Sequence, residues 1–160
     1  MKYDWIFFDA DETLFHFDAY QGMKLMFSRF GVYFNEQDYL AYQKVNLPLW
    51  VDYQDGRITA DHLKHTRFES WAEKLETTTA ALNSAFLMAM ADICSLLPGA
   101  QELMESLKGK VNMGIITNGF TELQSIRLER TGMTDYFDHV IISEVVGVAK
   151  PDAEIFEYAH

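Results

Sequence analysis

Trp5-Ile6-Phe7-Phe8-Asp9-Ala10-Asp11-Glu12-Thr13 decides how the chain is organised: four apolar residues run straight into two carboxylates set two positions apart. A short, continuous aromatic and β-branched run is the pattern of a strand buried on both faces of a parallel sheet. Asp9 then sits at its carboxyl end, where ligands gather in open α/β sheets. Two further runs look alike: Val111 to Ile116, closed by Thr117-Asn118-Gly119, and Val140 to Ile142, closed by Ser143. Before the second run, Ala100, Leu103, Met104 and Leu107 share one helical face behind Pro98, which fits a first turn. After it, Thr121 and Gln124 have capping-box spacing, and Gly132 is placed to end that helix in a left-handed conformation. Helix, strand, helix, strand is the alternation of an α/β domain.

More than 80 residues lie between the first strand and Pro98, far beyond the dozen or so that one crossover needs. An insertion is therefore expected, and its periodicities are helical: Met23, Met26, Phe27 and Phe30; Phe68, Trp71, Ala72 and Leu75; Leu82, Ala85, Phe86 and Ala89. Asp55-Gly56 marks a turn between two of these segments. The expected organisation is an α/β core of residues 1–14 and 95–160 with a helical cap over 15–94. The Met, Phe and Trp stripes, and the aromatic faces of Tyr20, Tyr42, Trp50, Tyr53 and Trp71, read first as packing inside that cap. His62 and His65 read as an exposed helix pair, and no histidine shows metal-ligand spacing.

Three loops carry candidate chemistry. Asp9 and Asp11 leave the sheet together, and if the chain curls tightly both reach one small volume. A divalent cation would relieve their repulsion, and an oxygen-rich site suits magnesium. A carboxylate also attacks phosphorus, splitting one displacement into two, and a second acid serves the leaving oxygen and the incoming water in turn. On five residues alone, two acids capping a turn explain the pattern as well. Thr117-Asn118-Gly119 ends a strand just before a helix, which makes a phosphate seat from a hydroxyl and free N–H groups, or an ordinary capped turn. Lys150-Pro151-Asp152 follows the third strand, with Pro151 suited to a first helical position and Lys150 at the helix mouth. The three loops stand in the order a phosphotransferase needs, each at the carboxyl end of its own strand.

The formal charge is −11 and the pI about 4.7. No basic run interrupts that acidic background, which argues against polymeric nucleic acid as a partner; a small phosphate ester remains compatible, since local cations overcome a negative global field. At 160 residues and 49% hydrophobic content the chain has the means to bury a core. One cysteine, Cys94, forms no intramolecular disulfide, and the N-terminus lacks a signal-peptide core. A cytoplasmic protein with no membrane span is the expectation. Oligomeric state is not readable.

Asp-x-Asp-x-Thr after an apolar strand, Ile115-Ile116-Thr117-Asn118-Gly119, and Lys150-Pro151 resemble the first three signature motifs of the haloacid dehalogenase (HAD) superfamily, across the whole chain. The resemblance implies a Rossmann-like core with a parallel sheet and an inserted α-helical cap. It also implies Asp9 as nucleophile, Asp11 as general acid/base, and Thr117, Asn118 and Lys150 as phosphate-binding residues. Magnesium, with manganese as a substitute, would be held by Asp9 and by the backbone carbonyl of Asp11. Asp9 to Thr13, Asn46 to Thr59, Arg67 to Leu75 and Gly114 to Gly132 further resemble the bacterial pyrimidine 5′-nucleotidases, which implies a nucleoside monophosphate such as dUMP, dTMP or UMP as substrate and a house-cleaning role. Glu12 stands where many HAD phosphatases have glycine, a change this branch tolerates.

The superfamily's fourth motif is an acidic pair on a further strand, and none follows Lys150 in these 160 residues. The expectation is a core incomplete at the C-terminus, weakened magnesium binding and little turnover from this form. A dehalogenase would need no Asp11. A phosphomutase, another HAD phosphatase acting on a small metabolite, or a catalytically incompetent module that only binds are the competing readings, because fold does not fix function.

Overall fold

A computed structural model describes residues 2–159. Strand β1 (Trp5–Phe8) leads into the acidic loop, and a two-residue strand β2 (Phe15–His16) follows. The loop curls tightly: the Ala10 carbonyl accepts hydrogen bonds from the N–H groups of Leu14 and Phe15, both at 3.0 Å. Glu12 takes φ +55° at the bend, a left-handed conformation that glycine adopts without cost. Its carboxylate accepts a 2.5 Å hydrogen bond from the Phe17 N–H.

Residues 18–93 form a compact helical unit. Its helices are α1 (Ala19–Arg29), α2 (Glu36–Gln54), α3 (Ala60–Thr66), α4 (Glu69–Lys74) and α5 (Thr79–Asp92). Asp18, Asn35, Thr59 and Thr78 each accept a hydrogen bond from an N–H of the first turn they precede, which is what short polar side chains do at helix starts. Asn35 and Asp38 form a reciprocal capping box. Met23, Met26, Phe27, Leu63, Phe68 and Leu82 are fully buried. The sequence's aromatic faces serve this interior: Trp71 packs on Phe27 at 4.4 Å between ring centres, Tyr20 leans on Phe34, and Tyr42 and Tyr53 are buried. Arg67 is buried too, its guanidinium bonded to Asn83 and lying over the rings of Phe68 and Phe86.

The chain returns through β3 (Ser95–Leu96), which pairs antiparallel with β2. Then come α6 (Ala100–Leu107), β4 (Asn112–Thr117), α7 (Thr121–Arg130), β5 (His139–Ile142) and the short helices α8 (Ser143–Val146) and α9 (Ala153–Glu157). Strands β1, β4 and β5 form a parallel sheet in that order, with Phe8 opposite Ile115 and Thr117 opposite Ile142. Residues 1–17 and 94–160 make this second compact unit. Its largest core gathers Ala10, Leu14, Phe15, Met104, Met113 and Ile115. All three sheet strands run the same way, so their carboxyl ends share one edge.

Two local expectations are corrected. Thr121 is the first helical residue of α7 rather than its cap: Phe120 takes the cap position with no side-chain hydrogen bond. The Glu144 carboxylate instead accepts from both the N–H and the hydroxyl of Thr121, at 3.0 Å each, a stronger charge-assisted partner for a helix N-terminus. Pro151 does not open a helix either; the Lys150-Pro151 peptide is cis, and α9 begins at Ala153 under an Asp152 cap. Gly132, at φ +70°, does end α7 in the left-handed conformation, with the Met133 N–H bonded to the Leu128 carbonyl at 2.8 Å.

Candidate active site

Each sheet strand delivers one loop to the same edge. Asp9 follows β1 directly, and its side chain is 45% exposed. Lys150, in the loop after α8, places its Nζ 2.5 Å from Asp9 Oδ1 and donates a second hydrogen bond, 2.7 Å, to the Ile116 carbonyl of β4. An ammonium has three N–H donors; two are committed here, which leaves one for a third acceptor. Burial explains why the lysine stays put: it is 23% exposed, and its head is held from two strands at once.

Thr117 closes β4 and is buried. Its hydroxyl oxygen accepts from the Gly119 N–H at 3.0 Å, so the hydroxyl hydrogen is left to donate elsewhere. Asn118 braces the lysine loop. Its Oδ1 accepts from the Lys150 N–H at 2.8 Å, and its Nδ2 donates to the Lys150 carbonyl at 3.0 Å. The Asn118 side chain is thus engaged on backbone, and its direct effect is on where Lys150 stands.

Asp11 is 32% exposed, and its Oδ1 pairs with Nη1 of Arg127. Sequence reading missed this arginine. It is 1% exposed on α7, and a second buried polar residue, Gln124, accepts from its Nη2 at 2.6 Å. The signal was available: Gln124 and Arg127 occupy the same inward stripe as Leu123 and Leu128. Polar residues at core positions of an amphipathic helix ask for a buried partner.

A cavity of about 250 Å³ opens beside these groups, lined by Phe7, Phe8, Asp9, Ile116, Lys150, Phe156 and Ala159. The structure therefore joins Asp9, Lys150 and the end of β4 around one space. Thr117, at the end of β4, and Asp11, in the loop after β1, lie outside that lining. Among the described residues no three His, Cys, Asp or Glu side chains cluster as a ready-made metal cage. No helix there is long and apolar enough to cross a membrane.

A parallel sheet with an acidic loop after its first strand, a Thr-Asn-Gly turn after the next and a lysine paired to the first acid defines a class of hydrolase. Residues 3–159 match the haloacid dehalogenase-like hydrolase family model, and the chain belongs to that family. It is 58% identical to pyrimidine 5′-nucleotidase YjjG of Escherichia coli (strain K12), over 99% of this chain and 71% of that protein. Pyrimidine 5′-nucleotidase PynA of Streptococcus pneumoniae is 32% identical, over 98% of this chain and 68% of its own length. The solved structure of the HAD-hydrolase YfnB from Bacillus subtilis, described as bound to magnesium, superposes with a TM-score of 0.85 at 26% identity, covering 99% of this chain and 73% of that one.

Proposed function

We propose that the chain is a magnesium-dependent phosphomonoester hydrolase that acts on pyrimidine nucleoside 5′-monophosphates through an aspartyl-phosphate at Asp9. The observation that carries this reading is the 2.5 Å pair between Lys150 Nζ and Asp9 Oδ1 at the carboxyl edge of the sheet. A carboxylate aimed into a cavity beside a cation is placed to attack an anion that the same cation binds.

Asp9 attacks phosphorus, and the bond from phosphorus to the ester oxygen breaks. The leaving oxygen takes a proton from the Asp11 carboxyl group. Water then attacks the phosphorus and gives a proton to the Asp11 carboxylate; the Asp9–phosphorus bond breaks, and inorganic phosphate leaves. Atoms and protons balance over the two steps. Lys150, with its third donor, and the Thr117 hydroxyl hold the phosphoryl oxygens, while Asn118 keeps Lys150 in place.

The donor set fits magnesium. Asp9 and Asp11 supply hard oxygens, and this ion is held by one or two carboxylates while keeping several waters. The Asp9 side chain and the Asp11 backbone carbonyl would hold it. When bound, it neutralises charge on the phosphoryl oxygens.

The substrate class is supported by two similar proteins, both named as pyrimidine 5′-nucleotidases. We read the helical unit, residues 18–93, as the inserted cap, and 1–17 with 94–160 as the catalytic core, each boundary within a few residues of the 15–94 and 1–14 with 95–160 expected from sequence. The test is phosphate release across purine and pyrimidine monophosphates with magnesium titrated, on this chain and on a C-terminally extended form. Faster release from pyrimidine than purine nucleotides, dependent on magnesium, is expected. Release that ignores magnesium, or a preference for a non-nucleotide ester, contradicts the proposal.

A further inference from the structure

Arg127 is a charged side chain buried in the sheet unit. It is 1% exposed, and a buried charge is tolerated only when paired and hydrogen-bonded. An apolar residue of similar size would fill the same volume without that cost. Yet the guanidinium is built in on three sides. Nη1 donates to Asp11 Oδ1, Nη2 donates to Gln124 Oε1 at 2.6 Å, and the Phe15 ring lies 4.3 Å from its central carbon. Its Nε is buried with no partner among the described residues.

Gln124 extends the arrangement to the phosphate loop. Its Nε2 donates to the Phe120 carbonyl at 3.3 Å. A side chain at Gly119 would place its first carbon 2.5 Å from that same nitrogen, so the glycine is what makes room for the glutamine. The Thr117-Asn118-Gly119 turn, Gln124, Arg127 and Asp11 therefore form one contiguous stack.

We propose that Arg127, braced by Gln124, is the positioning residue for Asp11. The rigid fork of a guanidinium fixes a carboxylate in direction as well as place. With Oδ1 held by Nη1, Oδ2 is the oxygen that carries the proton to the leaving group and receives it from water. This inference rests on the acid/base reading of Asp11 given above.

A positioning role has a signature that a structural role lacks. Protonation of the leaving oxygen matters greatly for a nucleoside 5′-monophosphate, whose leaving alkoxide is strongly basic, and little for 4-nitrophenyl phosphate, whose phenolate leaves unaided. The test, run in a C-terminally extended form of the chain, compares kcat/KM on UMP and on 4-nitrophenyl phosphate for the unsubstituted protein and for Arg127→Met, Arg127→Lys, Gln124→Leu and Asp11→Asn. General acid–base catalysis contributes roughly 10²–10⁴-fold, so Arg127→Met is expected to lose about a hundredfold or more on UMP and only a few-fold on the aryl ester. Arg127→Lys, which restores a cation to Asp11, recovers part of the UMP rate. Gln124→Leu shows the same ester-selective pattern more weakly, and it carries the test if Arg127→Met does not fold.

In the double variant, Arg127→Met costs nothing further on an Asp11→Asn background, because both act through one group. Equal losses on the two esters from the Arg127 and Gln124 variants, beside a selective loss from Asp11→Asn, overturn the proposal alone. Equal losses from Asp11→Asn overturn the acid role of Asp11, and the inference with it.

Discussion

Lys150 and Asp9 are separated by 141 positions in the sequence, yet their side chains meet at 2.5 Å. The contact exists because β1 and β4 are adjacent and parallel, with Phe8 beside Ile115, so the end of β1 lies next to Ile116. The lysine bridges the two by bonding to both. Replacing it with methionine keeps the stem and removes the charge. Loss of one preorganised donor of this type lowers turnover by roughly 10²–10³-fold. Steady-state phosphate release by Lys150→Met should show that drop, and rates within a few-fold of the parent would remove Lys150 from the phosphate site.

Asn118 acts at one remove. Its amide forms two hydrogen bonds with the backbone of Lys150, each worth about 1 kcal/mol net. Asn118→Ala should therefore lower unfolding free energy by about 1–2 kcal/mol in a denaturant titration. It should also lower kcat/KM, since Lys150 is no longer held. Full activity with unchanged stability would contradict the bracing role.

Tyr42 gives a pH-dependent handle on the helical unit. Burial raises the pKa of its phenol above the ordinary value of 10.0, with the Arg67 charge opposing that effect. The folded state thus keeps the proton after the unfolded chain releases it. Tyr42's contribution is fully present below about pH 10 and is lost as pH rises through the folded value. Stability curves at pH 8 to 11 should slope downward in the parent and less steeply in Tyr42→Phe. Identical slopes would mean the phenol is not protected. Burial also lowers the pKa of Arg67, which acts on the slope with the opposite sign.

The sheet strands and their loops were legible because each is a short apolar run ending in polar residues. Position singled out the loops that hold Asp9, Thr117 and Lys150, and the roles given to them rested on the resemblance to the family's motifs. Asp11's partner could not be named: Arg127 is 116 positions away in sequence, on a helix whose two polar core residues look like ordinary surface until the fold turns them inward. Helix α2 was illegible for another reason. It runs 19 residues through Pro48, and its apolar residues do not form a single stripe, with Leu40, Leu47 and Val51 exposed and Tyr42 and Tyr53 buried. Strands β2 and β3 are two residues long, too short for alternation to register. At Thr121 the local pattern was sound, and a carboxylate from a distant loop outcompeted it.

The central claim is that Asp9 becomes covalently phosphorylated. An acyl phosphate is reduced by borohydride to an alcohol, so quenching the enzyme during turnover of UMP with magnesium and reducing it should convert Asp9 to homoserine. Peptide mass spectrometry of the 1–14 region then reads the site. Homoserine at position 9, absent without substrate and absent in Asp9→Asn, is the expected result. An unmodified Asp9 in an enzyme that releases phosphate, or homoserine at another aspartate, would contradict the account.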